Sequence, residues 1–147
     1  MSERRPRVLR IERTFDAQIE RVFAAWTSPE VLRRWLQGMA GWETPTAEVD
    51  LRVGGAIRIV MRDPSDGTEV GASGTYTVVG PPHRLVFTWT WDDDPERPQL
   101  IELEFSEWDG RTTVRMTNSA IPTADRLERQ ERGWLVCNDN LELLLAG

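Results

Sequence analysis

The stretch "RQERGWLVCNDNLELLLAG", residues 129–147, closes the chain and has the apolar spacing of a long amphipathic helix. Gly133 stands inside this stretch, where a glycine costs about 1 kcal/mol of helix stability relative to alanine. The next residue is Trp134, which carries the largest of all side chains. A glycine without a Cβ atom lets another segment approach the helix closely. We therefore expect a strand or a second helix to pack at Gly133, and Trp134 to point towards a cavity or its rim.

One face of this helix combines amide and apolar side chains. Gln130, Trp134, Asn138 and Leu141 recur at intervals of three or four residues and so lie along the same face. A buried amide group that finds no hydrogen-bond partner costs about 1–3 kcal/mol. The sequence leaves open whether the partners of Gln130 and Asn138 are protein groups, trapped water or a bound ligand.

Most of the chain before this helix alternates between apolar and polar residues with the period of two that is typical of β-strands. Gly54-Gly55 has the composition of a two-residue hairpin turn. Three glycines within residues 68–80 predict a strongly curved sheet, because glycine in a strand marks a bend, a bulge or a close approach. The predicted strands are residues 7–15, 47–53, 56–62, 68–80, 84–91, 99–105 and 112–118.

Two short helices are predicted between the first two strands. Asp16 is the expected N-cap of the first, and residues 19–26 carry apolar side chains at helical spacing. Ser28 is the expected N-cap of the second, with Pro29 in its first turn.

The order of these elements predicts an α+β fold. An antiparallel sheet with one apolar face must bury that face against another element. The only element long enough is the terminal helix, which we expect to run from about residue 123 to 145. The curved sheet should therefore wrap around this helix, and residues 1–147 should form a single domain.

Composition restricts the function. With one cysteine, Cys137, and one histidine, His83, the chain is poor in the ligands that a protein zinc site needs, so we expect no metal. No nucleotide or nucleophile motif indicates a cofactor or a known hydrolase mechanism, since "GASG" is not followed by "GK[ST]" and no GxSxG occurs. The net charge of −6 argues against nucleic acid as a partner.

The chain has no apolar run of membrane-spanning length and no apolar signal core, so we expect a cytoplasmic protein without a membrane association. Five arginines crowd the N-terminus. They indicate either a phosphate-binding arm or a frayed end followed by the solvated face of a strand. These are Arg4, Arg5, Arg7, Arg10 and Arg13.

The sequence resembles the activator-of-heat-shock-protein-ATPase homologues of the START-like, or SRPBCC, superfamily. The matching segments occur in the family's order and span nearly the whole chain. They are "RTFDAQIERVFAAWTSPEVLRRWL" (13–36), "EVDLRVGGAIRI" (48–59), "GTYTVVGPPHRLVFTWTW" (74–91) and "ERGWLVCNDNLELLL" (131–145).

This resemblance implies a helix-grip fold, in which the sheet grips the terminal helix around an apolar cavity. The superfamily includes lipid and hormone carriers, polyketide cyclases and co-chaperone domains. Members of the family often carry a histidine where this chain has Gln130. A proton-transfer role assigned to that histidine therefore does not carry over to this chain.

The function that we infer from the sequence is binding of an apolar or lipid-like small molecule in the cavity. An enzyme of cyclase or dehydratase type is the first alternative, with Glu131 or Asp139 as a buried general base. A co-chaperone-like protein-binding domain is the second, and a homodimer and a chaperone contact stay open. The predicted ligand-binding residues are Trp35, Met61, Trp89, Trp91, Phe105, Met116, Gln130, Trp134 and Asn138.

Overall fold

A computed structural model describes residues 7–147, which form seven strands and three helices. The order is one strand, two short helices, six strands and one long helix, as the sequence predicts. In chain order the elements are β1 (Arg7–Phe15), α1 (Ile19–Thr27), α2 (Pro29–Trp35), β2 (Glu43–Val49), β3 (Ala56–Arg62), β4 (Glu69–Gly80), β5 (Arg84–Trp91), β6 (Gln99–Trp108), β7 (Arg111–Ile121) and α3 (Ala124–Ala146).

All seven strands belong to one curved antiparallel sheet with the order β1-β7-β6-β5-β4-β3-β2. Strands β1 and β2 are its two edges, so α1 and α2 carry the chain from one edge to the other. The apolar face of the sheet is covered by the helices, and the predicted α+β helix-grip architecture is confirmed.

The inward side chains of the central strands are those that the alternation predicts. They are buried in one apolar core together with residues of all three helices. The inward positions of β3, β5, β6 and β7 are Ile57, Ile59, Met61, Leu85, Phe87, Trp89, Ile101, Leu103, Phe105, Val114, Met116 and Asn118.

Helix α3 is continuous over 23 residues, which confirms the prediction for the end of the chain. The side chain of Thr123 caps it by accepting a hydrogen bond of 3.1 Å from the backbone N–H of Arg126. The predicted stripe is its buried face, with Gln130, Trp134, Asn138 and Leu141 all buried.

The curvature that glycines predict is visible in β4. A Cβ atom on Gly74 would lie 1.7 Å from the carbonyl oxygen of Thr88 on the neighbouring strand. Only a glycine allows this approach, and the β4–β5 pairing shifts register between Tyr76 and Val78.

Two local predictions were wrong. Helix α1 begins at Ile19, with Gln18 at the N-cap position, so Asp16 lies too early to bond the free N–H groups of the first turn. The Gly54-Gly55 hairpin is also longer than two residues. Strand β2 ends at Val49 and β3 begins at Ala56, because Gly55 folds back onto the Asp50 carbonyl and closes a six-residue loop. Leu51 is consequently exposed instead of continuing the strand.

The expectation of a strand or a second helix at Gly133 was wrong, because α3 packs there against a loop. A Cβ atom on Gly133 would lie 3.6 Å from the carbonyl oxygen of Gly38 and 3.7 Å from its Cα atom. Gly38 follows α2, so two glycines face each other where this loop crosses α3. These are ordinary van der Waals distances, so the site has room for a methyl group but not for a large side chain.

Candidate functional site

A cavity of about 370 Å³ lies between α3, the loop that follows α2, and the strands β3, β4 and β5. Its wall is mostly apolar, and its rim on α3 carries charged side chains. The apolar lining residues are Leu36, Met39, Trp42, Met61, Val70, Trp89, Trp91, Trp134 and Cys137. The other lining residues are Gly38, Asp93, Arg126, Arg129, Gln130, Arg132 and Gly133.

Local sequence explains how these side chains reach the cavity. Trp89 and Trp91 are two residues apart on β5 and therefore point to the same side of the sheet. Gln130 and Trp134 are four residues apart on α3 and therefore share a face of the helix. The ring centroids of Trp89 and Trp134 are 6.2 Å apart, and those of Trp89 and Trp91 are 5.6 Å apart. The three indoles consequently form one aromatic wall.

A network of three buried amides lies behind this wall. The Nε2 atom of Gln130 donates to Oδ1 of Asn118 at 2.8 Å and to Oε1 of Gln99 at 2.9 Å. Its Oε1 atom accepts from Nε2 of Gln99 at 3.0 Å and from Nε1 of Trp91 at 3.1 Å. All four hydrogen bonds that the Gln130 side chain can make are therefore satisfied within the protein.

Asn118 completes the network. Its Oδ1 atom also accepts from Nε1 of Trp134 at 3.3 Å, and its Nδ2 atom donates to Oε1 of Gln99 at 3.1 Å. The amides thus hold two of the three indoles of the aromatic wall by their N–H groups. Because the amide groups are hydrogen-bonded to one another and to the two indole N–H groups, the network fixes the orientation of Trp91 and Trp134.

The indole of Trp89 differs from the other two. Its Nε1 atom is buried and has no hydrogen-bond partner among residues 7–147. A buried donor without a partner costs about 1–3 kcal/mol. The Nε1 atom of Trp89 is covered by protein, and the described residues leave its hydrogen bond unmade.

Of the nine residues predicted to bind a ligand, the structure places five around the cavity. These are Met61, Trp89, Trp91, Gln130 and Trp134. Ligand contact by these five stays a prediction, and for Gln130 the amide is already fully bonded to protein.

The other four predicted residues are buried in the core but do not line the cavity. Trp35 meets Trp26 edge to face, with ring centroids 4.7 Å apart, and its Nε1 atom donates to the Ala25 carbonyl at 2.9 Å. Asn138 donates to the Trp134 carbonyl at 2.8 Å. Phe105 packs against the helix α1 side chain of Phe23, and Met116 is a buried member of the apolar core. Apolar alternation identifies which residues of a strand point inward. It does not indicate at which end of the sheet a cavity remains between the sheet and the helix.

Sequence reasoning missed the contribution of the loop after α2 and of the arginines. Leu36, Met39 and Trp42 reach the cavity because Gly38 lets this loop lie directly on α3. Arg126, Arg129 and Arg132 recur at every third residue of α3, a spacing that could have indicated a shared side of the helix.

The carboxylates considered as general bases lie outside the cavity. Glu131 is exposed on α3. Asp139 is also exposed and forms an ion pair of 2.9 Å with Arg13 of β1. Neither side chain is among the residues that line the cavity.

Two other groups have defined surroundings. Burial raises the pKa of the Cys137 thiol far above its ordinary value, so the thiol that lines the cavity is neutral. Among the N-terminal arginines, Arg7 donates to the Pro122 carbonyl at 3.3 Å, and Arg13 is bound to the α3 carboxylates Asp139 and Glu142. Arg4 and Arg5 of the predicted phosphate-binding arm lie outside the described residues.

Most of the chain matches a known protein family. The family model described as "Activator of Hsp90 ATPase homolog 1-like protein" matches residues 16–146. The chain belongs to this family. The match spans every element from α1 to α3, so the resemblance that the sequence suggests is confirmed.

Solved structures of similar proteins agree with this membership. A Chromobacterium violaceum protein is 25% identical, with a TM-score of 0.87 over 95% of this chain and 98% of its own. An AHSA1 protein from Silicibacter pomeroyi is 27% identical, with a TM-score of 0.83 and coverages of 95% and 98%. An AHSA1-like protein from Aeromonas hydrophila is 29% identical, with a TM-score of 0.77 and coverages of 92% and 90%. No curated protein matches the chain with significance.

Among the described residues of this family member, no helix has both the length and the apolar character needed to cross a membrane.

Proposed function

We propose that the protein binds an apolar or lipid-like small molecule in the cavity between α3 and the sheet. The observation that carries this proposal is the volume of about 370 Å³ bounded by Trp89, Trp91, Trp134 and Met61. Small-molecule pockets have volumes of about 300–1,000 Å³ and combine apolar walls with a few polar groups. Since binding of this kind needs no membrane anchor or secretion, a cytoplasmic location fits the proposal.

The enzymatic alternative has less support from the cavity. A cyclase or dehydratase needs a group that moves a proton, and both carboxylates considered for that role lie outside the cavity. Gln130, at the position where relatives often have histidine, does not exchange protons at neutral pH. A chaperone contact is suggested by the family's description alone and stays an alternative.

The test is a titration of environment-sensitive dyes and apolar compounds, read by tryptophan emission. We expect saturable quenching or a spectral shift, because four of the seven tryptophans line the cavity. Trp89→Phe and Trp91→Phe should reduce the change. Trp108→Phe is the matched control, since Trp108 is 85% exposed at the β6–β7 hairpin and does not line the cavity.

A second variant tests whether the cavity is the site. Val70 is half-buried in the cavity wall, so Val70→Phe should fill part of the space and weaken binding without unfolding the protein. Absence of a saturable response to the whole panel would contradict the proposal, as would full binding by a folded Val70→Phe variant.

A further inference from the structure

The rim of the cavity is positively charged although the chain is acidic. Arg126, Arg129 and Arg132 line the cavity from α3, and Asp93 is the single carboxylate among the lining residues. The rim therefore has three positive charges and one negative charge, against a net charge of −6 for the whole chain. Such a local reversal of sign favours an anionic ligand at this place.

The arginines are only weakly held by their present partners. Arg129 pairs with Asp125 at 3.2 Å and Arg132 pairs with Glu128 at 3.1 Å, each across one helical turn. Both carboxylates are exposed and lie outside the cavity lining. Exposed ion pairs of this kind contribute little, so each guanidinium group can exchange its partner for a ligand anion at small cost.

Arg126 is the innermost of the three. Its side chain is 15% exposed, and its Nη2 atom contacts both carboxylate oxygens of Asp93, at 3.2 and 3.3 Å. Asp93 is thus placed where a ligand carboxylate or phosphate would meet the same guanidinium group. The planar fork of donors in arginine suits both anions.

We propose that the ligand is an amphipathic anion, with its apolar body against the tryptophans and its carboxylate or phosphate group at Arg126, Arg129 and Arg132. This inference rests on the proposed function and adds the charge and orientation of the ligand. The acidic group faces the rim, and the apolar body fills the space lined by Trp89 and Trp134.

The experiment compares ligands that share one alkyl chain. Decanoate, decyl phosphate, 1-decanol and decylamine are titrated into the full chain at neutral pH, by calorimetry and tryptophan emission. We expect both anions to bind at least about tenfold more tightly than decylamine. The affinity of 1-decanol should lie between that of the anions and that of decylamine. The two anions distinguish a carboxylate from a phosphate as the preferred group.

Variants locate the anion. Arg129→Gln and Arg132→Gln should each weaken decanoate binding roughly two- to fivefold, and leave 1-decanol binding unchanged. Asp93→Asn should strengthen decanoate binding, because it removes the carboxylate that pairs with Arg126. If Asp93 and Arg126 had only a structural role, the substitution would not increase affinity. Arg115→Gln is the matched control, since Arg115 forms a similar exposed ion pair with Glu12 on the far edge of the sheet.

The outcomes separate this inference from the proposed function. If 1-decanol binds and the anions bind no better than decylamine, the charge inference is wrong and the apolar site stands. The same conclusion follows if the Arg129 and Arg132 variants bind decanoate like the Arg115 control. If none of the four compounds binds to the folded protein, both proposals are wrong.

Discussion

The Nε2 atom of Gln130 lies 2.8 Å from Oδ1 of Asn118, and this hydrogen bond joins α3 to β7. The same Asn118 oxygen accepts from the indole of Trp134, one helical turn further along α3. The polar network therefore sets how the helix is rotated against the sheet, and with it the position of the cavity wall. The sequence left the partners of the Gln130 amide open, and the structure shows that they are protein groups that hold the cavity in shape.

Replacing Gln130 by leucine should destabilise the fold more than it changes ligand affinity. Gln130→Leu removes the acceptor of two buried or half-buried donors, the Nε2 atom of Gln99 and the Nε1 atom of Trp91, and we expect a loss of about 2–4 kcal/mol in the free energy of unfolding. Urea unfolding followed by circular dichroism measures this. Gln18→Leu is the matched control, because Gln18 is exposed and makes no capping bond, and should stay within about 0.5 kcal/mol. Equal stability of the two variants would contradict the network's structural role.

The two glycine environments predict opposite effects of alanine. Gly133→Ala should be neutral or stabilise the protein by about 0.5–1 kcal/mol, because the added methyl group meets Gly38 at ordinary contact distance and helix propensity improves. Gly74→Ala should destabilise it strongly, since the methyl group would overlap the Thr88 carbonyl oxygen. Thermal unfolding of the two variants gives the comparison. A clear loss of stability in Gly133→Ala would contradict an ordinary contact distance between Gly133 and Gly38.

The buried phenol of Tyr76 should make stability fall at high pH. Burial raises the pKa of Tyr76 well above its ordinary value of about 10, so the folded protein keeps the phenol neutral while the unfolded chain ionises. Its contribution to stability is complete below pH 10 and is lost as the pH rises further.

Tyr76→Phe should flatten this decline between about pH 10 and 11. It should also leave stability at pH 7 unchanged or raise it by up to about 1 kcal/mol, because the Tyr76 hydroxyl is buried without a partner among the described residues. Urea unfolding at a series of pH values measures both effects. An undiminished decline in the variant would assign the pH dependence to other groups.

The thiol of Cys137 should resist modification in the folded protein. It is 3% exposed, and burial raises its pKa, so little reactive thiolate forms at neutral pH. We expect a thiol reagent to label the native protein very slowly and the urea-unfolded protein at once. Because Cys137 lines the cavity, fast labelling of the native state would indicate that the cavity opens widely.

The fold could be predicted because the sequence patterns that indicate it are local, each lying within one strand or one helix. The alternation in β3, β5, β6 and β7 and the three-to-four spacing along α3 each depend only on which face of one element is buried. Gln130, Trp134 and Asn138 were correctly placed on one buried face for this reason. The end of β2 and the start of α1 were missed because they depend on a loop closure and a turn, in which distant backbone groups compete for the same hydrogen bonds.

The sequence by itself determined the order of elements, the inward faces of the strands and the family to which the chain belongs. Only the tertiary structure decided which inward residues surround empty space. Trp89 and Trp35 are both buried tryptophans, yet one lines the cavity and the other is packed on all sides. The cavity lies where the α2 loop, α3 and the sheet diverge. These three segments are distant in sequence, so the residue periodicity within any one of them does not indicate the gap between them.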